Sequence, residues 1–195
     1  MHGRSVFLSR FVLSGGAAFV AAVWFVGVAN AASPDEQRAE IRRMAMSTLD
    51  QLYAAQPSAR KAIQKAAGYG VFSEISTKIL LAGGGGGKGM VVDTISDQET
   101  FMLMAMLQAG YGMGITKSHV VWVFEQESAL QDFVNNGLIL GADVNLQVNP
   151  GVGGGMYQGA VQVQPGVWLY QLSDAGLALD LTVEGTKYFK DPDLN

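Results

Sequence analysis

Two spacings of apolar residues divide this chain, helical in its first part and alternating later. Ile41, Ala45, Leu49 and Leu52 fall on one helical stripe, and Ala59, Ala62, Ile63 and Ala66 on a second, with Gln56-Pro57 between them. Ser33-Pro34-Asp35-Glu36 combines a capping serine, a proline suited to the first turn and the glutamate of a capping box, so the first helix is expected to begin there. Ser58 is the expected cap of the second helix and Gly68 its C-terminal stop. Period two dominates afterwards. Leu138, Leu140, Ala142, Val144, Leu146 and Val148 alternate with other residues, as do Val161 and Val163, Val167 and Leu169, and Leu177, Leu179, Leu181 and Val183. Strands are also expected at 69–73, 79–82, 90–94, 111–115 and 119–125.

Two more helices interrupt the strands. Residues 127–136 read as a helix ended by Gly137. Ser96-Asp97-Gln98-Glu99 is a second capping box, which predicts a helix through Phe101, Met102, Leu103, Ala105, Met106 and Leu107, closed by Gly110. The alternation of Met102, Met104 and Met106 supports a strand instead, and the cap decides for the helix. The polar end at 190–195 is expected to fray. The fold class is therefore α+β: N-terminal helices packed on a large, curved, mainly antiparallel, glycine-rich sheet that could approach a barrel.

Composition sharpens one point. Glycine accounts for 25 of 195 residues, and five are consecutive, Gly83 to Gly87, between the apolar runs Ile79-Leu80-Leu81-Ala82 and Met90-Val91-Val92. Glycine loses the most backbone freedom on folding, so such a run is justified where no side chain fits. With Lys88-Gly89 it superficially resembles a phosphate-binding loop. However, Gly89 stands where Ser or Thr would hold magnesium, and a strand follows where a helix should begin. The run reads better as a packing device that lets a strand or tight loop pass against another backbone.

Charge is unevenly placed within a formal net of −4. Residues 33–90 hold eight lysines and arginines against five carboxylates, and residues 91–195 hold three against twelve. A basic N-terminal half is a contact face for an anionic partner, or simply a solvated pair of helices. Ahead of it, Arg4 and Arg10 precede the uncharged apolar run 11–28, and Ala29-Asn30-Ala31 places small residues before Ala32. Residues 1–31 are thus expected to be a secretory signal peptide and 32–195 a single domain, with a retained anchor as the alternative.

Catalytic chemistry finds little support. There is no cysteine, which excludes thiolate sites and disulfides, and no Gly-x-Ser-x-Gly elbow. His119 is the one histidine after the leader and sits at the edge of an apolar strand. Asp174, Asp180 and Glu184 read as outward strand positions, and Asp191-Pro192-Asp193 starts like a calcium loop just before the chain ends. No metal or other cofactor is expected. Met102, Met104, Met106 and Met113 read as core filling, with an apolar pocket as the competing reading.

One ordered set of motifs spans most of the chain. It comprises Ala66-Ala67-Gly68-Tyr69-Gly70-Val71-Phe72, the glycine run with Lys88-Gly89, and Ala129-Leu130 with Phe133. Leu138 to Ala142 follow, then Gly176-Leu177, and finally Leu181 with Val183-Glu184-Gly185. This set resembles the SYLF lipid-binding domain family, from the first helix to Lys187. The resemblance implies a domain without enzymatic activity. In eukaryotic relatives it is attached to membrane-trafficking and actin-regulating modules and associated with phosphoinositide and other anionic lipid binding. Its bacterial relatives are usually stand-alone secreted or envelope proteins.

The combined expectation is a non-catalytic, periplasmic or secreted protein, peripherally associated with anionic phospholipid surfaces. Arg38, Arg42, Arg60, Lys61 and Lys65 on the two helices would contact headgroups, and Lys78 and Lys88 would extend the patch. The alternative is a structural or interaction module of the envelope with a protein partner and no lipid ligand. Nucleic acid and actin are not expected partners.

Overall fold

The computed structural model describes residues 32–140, 154–173, 176–178 and 185–195; the side chains of 78–82, 108–112, 139–140 and 176–178 lie outside that description. All of these belong to one compact unit, Ala32–Asn195. Helix α1 (Pro34–Ala55) begins as its sequence predicts. Ser33 Oγ accepts the Glu36 amide, and the Glu36 carboxylate accepts the Ser33 amide at 2.8 Å. Helix α2 (Ser58–Lys65) departs from expectation at both ends. Pro57 occupies the cap position, and Ser58 Oγ instead accepts a hydrogen bond from the Gln56 side chain at 2.7 Å. Ala66 is the C-cap, so Gly68 opens the next strand and does not close the helix.

The sheet is built on two strands of 26 residues each, β1 (Gly68–Asp93) and β2 (Glu99–Phe124), paired antiparallel along nearly their whole length. This corrects two expectations. The separate short strands predicted at 69–73, 79–82 and 90–94 are one strand, as are those at 111–115 and 119–125. The helix predicted after Ser96 does not form, because Asp93 takes the local hydrogen bonds. Its Oδ1 accepts the amides of Ile95 and Ser96 at 2.9 and 3.1 Å, making a side-chain turn, and Asp97 adopts φ 55°. The chain reverses there, and the alternation of Met102, Met104 and Met106 takes over: all three are buried, while Ala105 and Leu107 are exposed.

Helix α3 (Glu127–Asn136) follows and ends at Gly137 with φ 71°. The remaining strands are β3 (Leu138–Leu140), β4 (Val161–Gln164), β5 (Val167–Ser173), β6 (Gly176–Ala178) and β7 (Thr186–Lys190), with a 3₁₀ turn at Gly155–Tyr157. The sheet order is β3-β7-β2-β5-β4, with β1 on β2 and β6 on β5. Every recorded pairing is antiparallel. Most of the alternating segments 138–148 and 177–183, together with Asp174, Asp180 and Glu184, lie outside the described residues.

A straight 26-residue strand would reach on the order of 85 Å, whereas a domain of this size has a radius of gyration of only about 15 Å. The long hairpin must therefore curl, and the sheet becomes a half-barrel. Glycine is what allows the curl to close. A Cβ on Gly85 would lie 2.5 Å from the carbonyl oxygen of Ile75, and Cβ atoms on Gly87 and Gly89 would fall inside the oxygens of Ser73 and Val71. The second half of β1 thus presses on the backbone of its own first half, which is the packing role the glycine run predicts.

Each face of the sheet carries a packed core. On one, Ile41, Ala45 and Leu52 of α1 and Ala59, Ala62 and Ile63 of α2 pack with Val71, Val121, Val123 and Tyr170. The other face holds Phe72, Trp122, Phe124, Phe133 and Tyr188, whose ring centroids lie 4.9–6.3 Å apart. Double burial explains why Val120 to Phe124 is continuously apolar. The expected frayed tail is a further correction. Leu194 is 2% exposed, and the Asn195 side chain bonds both backbone groups of Phe101.

Among the described residues two carboxylates are buried, Glu74 and Asp191. Glu74 is buried opposite Ser118 of β2. Burial raises its carboxyl pKa above the ordinary range, opposed by a hydrogen bond to Ser118. A raised folded-state pKa favours folding below the unfolded value and loses that advantage as pH rises through the folded value. Glu74→Gln is therefore expected to raise Tm by on the order of a few degrees at pH 7 and by less at pH 4. Thermal melts of both proteins across this range provide the check, and equal shifts at the two pH values would exclude the buried charge as the cause.

Candidate functional site

The cations expected from sequence occupy different settings. On α1, three arginines (Arg38, Arg42 and Arg43) face four carboxylates (Asp35, Glu36, Glu40 and Asp50), so the helix is not basic. Two of those arginines are engaged within the fold. Arg38 pairs with Asp35 at 2.8 Å and donates from Nε to the Leu194 carbonyl at 2.9 Å. Arg42 pairs with Glu99 at 2.7 Å, and its guanidinium lies 5.3 Å from the Phe101 ring centroid. The Glu99 contact holds the Arg42 pKa above its already high ordinary value.

Helix α2 is different. Arg60, Lys61 and Lys65 are exposed on a helix with no carboxylate of its own. Arg60 stacks over Tyr53 at 4.2 Å, and neither Lys61 nor Lys65 makes an ion pair with a described residue. The apolar stripes of both helices are spent on the core, since Ile41, Ala45, Leu52, Ala59, Ala62 and Ile63 are each at most 5% exposed. What faces solvent on α2 is charge, with no apolar stripe left to insert beside it. Lys78 has no described side chain.

Lys88 belongs to a third setting. Its Nζ donates to Gln37 Oε1 of α1 at 2.9 Å, beside a cavity of about 520 Å³. The α1 side of the cavity is Gln37, Glu40, Ile41 and Met44. The sheet side is Ser73, Ile75, Gly86 and Gly87 of β1 and Leu103 of β2. It exists because α1 lies across the place where β1 passes over itself, and the glycines there contribute backbone without side chains. Sequence reasoning missed this cavity, since its walls come from distant segments. The only signal was the glycine run itself. The methionine pocket does not form: Met102, Met104 and Met106 fill the core, and Met113 is 84% exposed.

Among the described residues no group of three or more His, Asp or Glu gathers as a metal site would require, and no helix is long and apolar enough to cross a membrane.

Comparison with known proteins agrees with the motif pattern. Residues 105–195, from within β2 to the C-terminus, match the family model described as Ysc84, a Las17-binding protein actin regulator. The chain is also similar to Beta cell expansion factor A of Aeromonas veronii, with 29% identity over 165 residues, covering 85% of this chain and 61% of that relative. The C-terminal part of the chain, residues 105–195, is thus similar to the Ysc84/SYLF family. The matched segment contains neither α2 nor the glycine run, and the chain spans about three-fifths of the relative's length.

Proposed function

We propose that this protein is a SYLF-type, non-catalytic lipid-binding protein of the cell envelope, reached through secretion, that docks on anionic phospholipid surfaces. The observation that carries the reading is the exposed, acid-free cationic trio of α2, Arg60, Lys61 and Lys65. Arg38 and Arg42 are secondary contacts because each is already committed to a carboxylate. With the apolar faces buried, attraction is mainly coulombic and sensitive to salt.

Sedimentation with vesicles tests this. Wild-type protein should pellet with vesicles rich in phosphatidylglycerol, release at high salt, and ignore vesicles of phosphatidylcholine. Replacing Arg60, Lys61 and Lys65 together with glutamine should weaken partitioning by about a hundredfold, at roughly 1 kcal/mol per cation near an anionic surface. Retention of full binding by that variant, with an unchanged melt, would sink the α2 assignment.

A second reading has a specific basis. The matched family model is described by its binding of a protein, Las17, and by actin regulation. A protein-interaction module of the envelope would yield a defined cross-linked partner and no vesicle dependence in the same experiments.

A further inference from the structure

We propose that the cavity between α1 and the self-crossing of β1 takes the single acyl chain of a zwitterionic monoacyl phospholipid. This deepens the lipid-binding reading and rests on it, but it concerns a different surface from the α2 trio. Three observations converge. The volume, about 520 Å³, lies within the roughly 300–1,000 Å³ usual for small-molecule sites. A methylene is comparable in size to a water molecule, whose liquid share is about 30 Å³, so the cavity has room for one chain of on the order of fifteen carbons and not for two.

The walls suit a chain. Ile41, Met44, Ile75 and Leu103 supply apolar side chains from three elements, and Gly86 and Gly87 form a flat wall with nothing projecting from it. Ile75 is half exposed, so its side chain offers apolar surface to an occupant of the cavity.

The rim suits a particular head. It carries one cation, Lys88, and one anion, Glu40, with Gln37 beside Lys88. Gln37 and Glu40 stand three residues apart on α1, so they are neighbours on its surface. A purely anionic head would meet Lys88 but be repelled by Glu40. A phosphoethanolamine head satisfies both, with its phosphate on the Lys88 ammonium and its ammonium on the Glu40 carboxylate. The arrangement also differs from α2, where there is no carboxylate to favour a zwitterion.

The experiment is titration of the purified protein, monitored by calorimetry, with palmitoyl lysophosphatidylethanolamine below its micelle concentration. Palmitoyl lysophosphatidylglycerol and palmitate are run alongside. One equivalent of the ethanolamine lipid should bind, and more tightly than either anionic probe. Ile75→Trp, which fills the cavity from a half-exposed position, should weaken it at least tenfold. Leu103→Phe serves as a second filler if the first variant melts abnormally. Glu40→Gln should erase the preference for the ethanolamine head, and Lys88→Gln should weaken both phospholipids. No saturable binding below the micelle concentration, binding indifferent to both fillers, or a preference for palmitate would each overturn the proposal. Anionic vesicle sedimentation in parallel separates the two readings. If Ile75→Trp pellets normally yet loses the monoacyl lipid, the cavity is a distinct site. If wild-type protein binds the monoacyl lipid but does not pellet, the surface reading fails alone; if it pellets but binds no monoacyl lipid, the cavity proposal fails alone.

Discussion

Gly87→Ala should destabilise the protein by about 3 kcal/mol or more, the range of severe overpacking, which lowers Tm by roughly 6–12 °C in a domain of this size. Gly84→Ala, three residues away in the same run, should change stability by less than about 0.5 kcal/mol. The two residues read identically in sequence. They differ because a Cβ at 87 would enter the carbonyl oxygen of Ser73, whereas one at 84 would meet the Met106 carbonyl at 3.4 Å, an ordinary contact. The Ser73 carbonyl is backbone and cannot swing aside, so relief at 87 requires the two halves of β1 to separate and the curl to open. Alanine at 84 also restricts the unfolded chain, which offsets any small loss. Thermal denaturation of the two single variants decides the matter. Equal losses would mean that the run acts through flexibility along its whole length and not through contact at alternate positions.

Deleting Leu194 and Asn195 should cost about 3 kcal/mol. Burying a leucine side chain is worth roughly 1.5–3 kcal/mol, and each hydrogen bond lost adds about 1 kcal/mol, partly returned by the freed chain entropy. The affected bonds are specific. Asn195 Oδ1 accepts the Phe101 amide at 2.9 Å, and its Nδ2 donates to the carbonyls of Phe101 and Asp191 at 2.8 and 2.6 Å. Arg38 Nε donates to the carbonyl of Leu194, so the deletion also strips a contact from α1. The tail is in effect a clasp between the start of β2 and the first helix. Urea denaturation of the truncated chain is the measurement, and an unchanged midpoint would return the tail to the frayed end its polarity predicts.

The legible parts of this fold share a property: their causes lie within a few residues. The capping box at Ser33 decides where α1 begins, because Ser33 and Glu36 satisfy each other's backbone amides locally. Gly137 ends α3, since its φ of 71° is costly for other residues. Where a local rule met a longer-range one, the local rule lost. Ser96 to Glu99 has the composition of a capping box, yet Asp93 captured the turn, and strand pairing with β1 along its whole length outweighed one helical cap. The same competition explains the fused strands: the short segments at 69–73 and 79–82 look separate only if glycine is read as a break, whereas here it is the condition for continuing.

The candidate sites divide in the same way. That α2 carries Arg60, Lys61 and Lys65 on a face opposite its alanines was readable from spacing alone. That Arg38 and Arg42 would be spent on Asp35 and Glu99, and Lys88 on Gln37, was not, since two of these partners lie 57 and 51 residues away.

Sequence alone determined the class of the molecule, the start of its first helix and the need for a stretch where no side chain fits. Only the tertiary structure decided which glycines of that stretch bear the contact, which cations stay free, and that α1 leaves a cavity over the crossing. Spacing reports which face a residue occupies, but whether that face meets a backbone, a carboxylate or open space depends on segments brought together by the curl of a 26-residue hairpin.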